Sequence, residues 1–341
     1  MDNRCPVELI ISRLPGLSPK EKNFLLENAE AGQFNSSSKA DAENILGRLI
    51  PEVWDAGEIA RQAEKDIKVA QLRNIKWVSY NSAEYPPLLR EIYDPPVLLF
   101  YRGELPNPGK PLAAVVGTRK PSHQARAHAY QVSKELGQEG VSVVSGLALG
   151  IDATAHQGNL DGGAKTYAVL GSGADEIYPS TNRALARRIL ETGGAILSEY
   201  PPGTGPRKWN FPARNRIISG LARGVLIAEA PESSGALITA KFALQQGRDL
   251  WVLSTGAAEN LNGIGHGVSH GISHGISHGI SRVIFDRRGS IKLAEDGAGI
   301  ISCAGDILKE WNMESHAVEK GVEILSGKEQ ALAELARSLN T

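Results

Sequence analysis

Between Leu112 and Leu253, short apolar segments alternate with helix-compatible ones, and no other feature constrains the fold of this chain as tightly. Residues 113–116, 141–144, 166–170, 195–198, 225–228 and 250–253 are strand-sized and dominated by Val, Ile, Leu and Ala. Their apolar positions do not alternate with charged ones, so such strands are buried on both faces. Residues 125–136, 152–160, 181–190, 214–221 and 236–245 suit the intervening helices. Buried strands separated by helices predict an α/β fold, a Rossmann-like parallel sheet with right-handed crossovers and helices on both faces.

Residues 1–75 read as a small helical domain ahead of this core. Ser18-Pro19-Lys20-Glu21 has a capping serine, a proline at the first helical position and an early acid. Residues 38–49 and 58–72 also suit helices. The turn Leu14-Pro15-Gly16-Leu17 fits a plain bundle and equally fits helix-hairpin modules that bind DNA phosphates. Residues 76–111 hold Pro86, Pro87, Pro95, Pro96, Pro106 and Pro108 and read as an extended connector with one strand at 97–101. The α/β domain is expected over 112–310, and a short helical tail over 311–341 with its helix at 327–339.

Charge and composition exclude several functions. The formal net charge is −1, so a nucleic acid or membrane would have to be drawn by a local patch. Cys5 and Cys303 share no ligand spacing, which argues against a disulfide scaffold or zinc ribbon and suits a reducing cytoplasm. The longest apolar runs fall far short of the ~20 residues that cross a bilayer. Glu8 and Pro15 interrupt the N-terminal apolar run, so neither a signal peptide nor a membrane partner is expected. His266, His270, His274 and His278 sit in a repeated His-Gly-Ile/Val-Ser tetrad over 266–281. Each tetrad carries a glycine and a β-branched residue, so it reads as an expanded loop and not as a metal-binding helix face.

In an open parallel sheet, ligands bind beyond the carboxyl ends of the strands. Three such ends carry glycine: Val116-Gly117-Thr118-Arg119, Ser145-Gly146-Leu147-Ala148-Leu149-Gly150, and Leu170-Gly171-Ser172-Gly173. Glycine lets backbone N–H groups approach a phosphate. The dinucleotide and P-loop patterns both fail: Gly171-Ser172-Gly173 lacks a third glycine, and Gly163-Ala164-Lys165-Thr166 precedes a strand. Eight bases against two acids lie between Arg183 and Arg223, and Lys208-Trp209-Asn210-Phe211-Pro212 mixes charge with aromatic rings. Phosphate contacts with stacking on aromatic faces favour unpaired bases over duplex. Two plainer readings stand beside this one: the glycines make tight turns only, or Trp209 and Phe211 belong to the core and the arginines to a solvated face. Asp152 and His156 share one helix face, either as a metal or general-base pair or as a structural one. No nucleophile elbow or zinc-protease motif is present. No catalytic residue, metal or cofactor is therefore expected.

These blocks resemble the DNA-processing protein A (DprA/Smf) family. The resemblance runs over about residues 80–254. It rests on Val116-Gly117-Thr118-Arg119, the Ser145 to Asp152 loop with Ala155-His156, and Ala168 to Gly173 followed by Tyr178-Pro179 and Asn182. It continues through Ser198-Glu199-Tyr200-Pro201, Phe211-Pro212-Ala213-Arg214-Asn215-Arg216, and Glu229-Ala230 with Ser234-Gly235 and Thr239-Ala240. The resemblance implies a non-enzymatic homodimer that protects incoming single-stranded DNA in natural transformation and helps load a RecA-type recombinase. It implies that Arg119 and Lys208 contact DNA, that Phe211 meets a base, and that Gly117, Ser145 and Gly146 line a phosphate pocket. Arg214 and Arg216 either add to the site or brace the fold. The chain departs from the family after Leu253, where Ser254-Thr255-Gly256 replaces Pro-Gly, and no complete winged helix is expected in the 311–341 tail. The competing function is a Rossmann-like enzyme acting on a nucleotide or nucleoside phosphate.

Overall fold

A four-residue strand buries both faces only when a helix covers each side, and the chain supplies these covers in order. The structure, a computed structural model, describes residues 5–30, 38–257 and 286–314. The histidine tetrads and the helical pattern at 327–339 lie outside the described residues.

The N-terminal part holds α1 (Val7–Arg13), α2 (Pro19–Glu30), α3 (Lys39–Leu46) and α4 (Ala56–Leu72). Ser18 and Glu21 form a reciprocal cap: the Ser18 N–H donates to Glu21 Oε2 (2.8 Å) and the Glu21 N–H donates to Ser18 Oγ (3.3 Å). Ser38 and Asp55 cap α3 and α4 through the Asp41 and Glu58 N–H groups. Arg13 reaches from α1 to the buried Asp66 of α4, with Nε to Oδ2 at 2.7 Å. Leu9, Ile11, Leu25 and Leu26 close a core that continues without a break onto the sheet residues Phe100 and Ile196. The 14–17 turn is not an open phosphate seat. A Cβ added to Gly16 would lie 1.9 Å from Glu52 Oε2, so a carboxylate backs the turn.

The proline-rich segment is built into the sheet, where a plain connector with one strand was expected. It holds β1 (Lys76–Ser79), α5 (Pro87–Arg90) and β2 (Leu98–Gly103). Every proline of residues 76–111 falls outside the two strands, so none removes a ladder donor. The strand expected at 97–101 appears as β2, paired antiparallel to β1.

The α/β part then runs β3 (Leu112–Val116), α6 (His123–Gln138), β4 (Ser142–Ser145), α7 (Ile151–Asp161), β5 (Thr166–Val169), α8 (Arg183–Glu191), β6 (Ala195–Ser198), α9 (Asn210–Leu221), β7 (Gly224–Ile227), α10 (Gly235–Gln245) and β8 (Asp249–Leu253). It finishes with α11 (Ser254–Ala257), α12 (Arg288–Glu295), β9 (Gly299–Ile301) and α13 (Ala304–Glu310). The sheet order is β1-β2-β6-β5-β4-β3-β7-β8-β9. Pairing is parallel from β6 to β9, and β2 joins β6 antiparallel at one edge.

Side chains alternate between two apolar layers. Ala114, Val116 and Val169 pack with Ile217 and Ile218 of α9 and Ala240 of α10. Ala113 and Val115 face the opposite side, against Val132 of α6 and Ala155 of α7. Ala168 and Ile196 share that side with Leu185 and Ile189 of α8. The α/β class with a Rossmann-like sheet, covered on both faces and preceded by helices, therefore stands.

Candidate nucleic-acid interface

The strand order reverses beside β3: β4, β5 and β6 are laid down on one side, and β7, β8 and β9 on the other. Chains leaving β3 and β7 diverge there, which opens a crevice at their carboxyl ends. A cleft of about 960 Å³ occupies that place, and Gly117, Arg119, Tyr178, Lys208 and Phe211 are among its walls.

Neighbouring loops hold the loop that carries Arg119. The Thr118 N–H donates to Glu229 O (2.8 Å), and the Ile151 N–H donates to Thr118 O (3.2 Å). Gly150 has φ +80°, and a Cβ there would lie 2.4 Å from Thr118 O. Glu229 is fully buried and takes both the N–H (2.8 Å) and the hydroxyl (2.6 Å) of Ser122, the residue that caps α6. Arg119 is thereby presented at the cleft rim, with its guanidinium carbon 5.9 Å from the Phe211 ring centroid. Phe211 stands in the first turn of α9 and rests on Gly171, where a Cβ would lie 2.9 Å from Phe211 Cδ1. Lys208 is exposed just before α9 and lines the same cleft.

The eight residues singled out from the sequence therefore separate into two groups. Gly117, Arg119, Lys208 and Phe211 meet at the cleft. Ser145 and Gly146 do not line it, because their polar groups are already used. The Ser145 hydroxyl donates to Val115 O (2.7 Å), and the Gly146 N–H donates to Asp152 Oδ2 (3.2 Å). Gly146 is instead the seat of Arg214: a Cβ there would lie 2.4 Å from Arg214 Nη2. Arg214 borders the cleft but is only 5% exposed, and it donates to Gly146 O (2.9 Å), Val169 O and Asn215 Oδ1 (3.1 Å). It ties the tips of β4 and β5 to α9. Burial lowers its pKa to about 10, partly opposed by the Asp152 carboxylate, so it stays charged at neutral pH. Arg216 is 7% exposed, points away from the cleft, and holds Glu199 in a two-pronged ion pair at 2.9 and 2.6 Å.

The basic run of the sequence also disperses. Arg183, Arg187 and Arg188 are exposed on α8, which covers the opposite sheet face from α9, and Arg188 pairs with Asp161 at 2.5 Å. Arg223 lies at the amino end of β7, over the Trp311 ring at 5.0 Å. Trp209 is 69% exposed beside Arg207 and does not line the cleft.

Asp152 and His156 form a structural pair. Asp152 accepts from the Gly146 and Ala148 N–H groups and so closes the loop after β4. The Thr166 hydroxyl donates to Val143 O (2.6 Å), so it accepts from His156 Nδ1 at 2.7 Å. Burial lowers the His156 pKa to about 3, and the positive charge of Arg214 adds to this. Among the described residues no group of three His, Cys, Asp or Glu side chains gathers to hold a metal ion. No helix among them is long and apolar enough to cross a membrane.

Charge and glycine counting did not single out Tyr178. It is 46% exposed, lines the cleft, and sets its ring 5.6 Å from that of Phe211 at 42°. Its sequence signal is the Tyr178-Pro179 pair among the blocks of the family resemblance, and its place beside Phe211 emerges only once β5 is set between β4 and β6 under α9.

Residues 76–312 match the family described as DNA recombination-mediator protein A. The chain belongs to that family. Among its relatives, the DNA processing protein DprA of Bacillus subtilis is 35% identical over 240 residues, 70% of this chain and 72% of that protein. Protein Smf of Synechocystis is 46% identical over 187 residues, and DprA of Streptococcus pneumoniae is 47% identical over 178. Those two alignments span 47% and 62% of the relatives' own lengths. Among solved structures, DNA processing protein A of Streptococcus pneumoniae superposes with a TM-score of 0.69 and 31% identity, covering 92% of this chain and all of that one. DNA processing protein A of Helicobacter pylori, described for its single-stranded DNA binding mode, gives 0.54 and 27%, covering 70% of this chain and 95% of its own.

Proposed function

We propose that this chain binds single-stranded DNA without chemical turnover. In this reading Arg119 and Lys208 hold phosphates, Phe211 stacks an unpaired base, and the Gly117 backbone lines the phosphate seat. The observation that carries it is the meeting of two exposed cations and an aromatic ring in one cleft at the sheet's reversal point. The Helicobacter pylori relative, whose structure is described by its single-stranded DNA binding mode, supports the same ligand. Arg214 supports the site from beneath, and Arg216 belongs to the scaffold.

Absence of turnover is supported by the two groups best suited to proton transfer. Asp152 is committed to backbone N–H groups, and His156 is sealed in the core. Protection of incoming DNA in natural transformation, delivery to a RecA-type recombinase, homodimerisation, a cytoplasmic location and the absence of a cofactor complete the proposal, on the strength of family membership.

Fluorescence anisotropy with a labelled, unstructured oligonucleotide tests it. Arg119→Ala and Lys208→Ala should each weaken binding by about tenfold and reduce the log–log salt slope by roughly 0.7 per lost phosphate contact. Wild-type affinity in both variants would reject the site. Turnover of any member of a nucleotide panel would reject the non-enzymatic reading.

A further inference from the structure

We infer that Tyr178 is a second base platform in this cleft, so that two unpaired nucleobases are received side by side, one on Phe211 and one on Tyr178. The inference rests on the single-stranded DNA reading above and deepens it.

Phe211 has little free surface of its own. Gly171 lies under its ring edge, Arg119 stands over it, and Tyr178 flanks it. A ring hemmed in this way offers room for one base at most. A neighbouring unstacked base then needs another apolar surface, because leaving its face in water forfeits the stacking that drives sequence-tolerant binding. Tyr178 supplies that surface. Its ring is tilted 42° from Phe211 with centroids 5.6 Å apart, which leaves no space for a base between the rings. The two rings make a corner with two separate faces.

The Tyr178 loop is held before any ligand arrives. Ser172 Oγ donates to Glu176 O (2.6 Å), and Ile177 packs into the core beside α8. Asp175 accepts from the Gly203 N–H at 3.0 Å. Beyond the tyrosine, Asn182 Nδ2 donates to Leu147 O (2.8 Å), which fastens the segment to the loop after β4. A half-exposed aromatic ring on a backbone fixed at both ends loses little further freedom when it meets a base. The loop meets the core through its neighbour Ile177, and the Tyr178 ring stands half exposed at the cleft.

The experiment compares two labelled probes, an oligothymidylate and a chain of equal phosphate number made of abasic units, on the full chain. Tyr178→Ala should bind the oligothymidylate about tenfold more weakly and the abasic chain as wild type does. Tyr178→Phe should keep wild-type affinity for both, since it keeps the ring. Arg119→Ala should lose affinity for both probes, because its contact is to phosphate. Unchanged oligothymidylate binding in Tyr178→Ala would overturn the inference, and so would an equal loss on both probes, which marks a merely structural role. Either result leaves the Arg119 arm intact, so a failed platform is distinguishable from a failed site. A wild-type protein that binds neither probe would overturn both.

Discussion

Arg216 and Glu199 meet as fork and carboxylate on the inner side of α9, with a third donor bond from Arg216 Nε to Asp94 O at 3.0 Å. Charge density along the sequence counted Arg216 as a candidate DNA contact, but its side chain is spent on the fold. Removing it strands a carboxylate that is itself nearly buried. Arg216→Met should therefore cost about 3 kcal/mol of stability by urea unfolding, while the folded protein keeps wild-type affinity for single-stranded DNA. A fall in affinity with stability unchanged would restore Arg216 to the binding surface. Arg119 lies at the other extreme: it is exposed, touches an aromatic ring, and contributes nothing to the core. Basic residues of separate motifs thus serve different ends, and only their partners tell them apart.

At the scale of elements, the site depends on loops that hold one another. The loop after β4 ends at Gly150, whose positive φ and missing side chain let the start of α7 close on Thr118. Gly163 has a similar φ of +89°, yet nothing lies within 4 Å of its added Cβ. The pair separates backbone strain from collision. Gly163→Ala should cost about 1 kcal/mol, the left-handed penalty alone. Gly150→Ala should cost at least about 2 kcal/mol and should also weaken DNA binding, because the colliding atom belongs to the loop that presents Arg119. Thermal melts and anisotropy on both variants check this. Equal effects at the two positions would show that the contact between the loops carries no weight.

For the whole molecule, acid stability follows from the buried His156. Its folded pKa of about 3 lies below the ordinary 6.5, so the unfolded chain takes up the proton first. Its contribution to stability is complete above about pH 6.5 and is lost as pH falls toward 3. Between pH 6.5 and 5 the wild type should lose about 2 kcal/mol more than His156→Gln in urea unfolding. Parallel pH profiles would show that the imidazole is not held neutral.

The linear chain by itself determined the parallel strands, their covering helices and the end of the sheet where the cleft opens. A run of consecutive apolar residues has one stable use in water, and glycines after such runs mark the strand tips. It also put forward Arg119, Lys208 and Phe211, through a glycine loop, a mixed basic-aromatic run and a family resemblance, and the structure brings the three to one cleft. The order in which β7 falls beside β3 was decided only in three dimensions. That order turned Arg214 and Arg216 inward, sent Arg183 and Arg187 to the far face, drew the proline-rich segment in as an edge, and set Tyr178 against Phe211. Charge counted along a chain carries no record of which helix face it lies on. Two rings remote in sequence become neighbours only because the sheet between them is continuous.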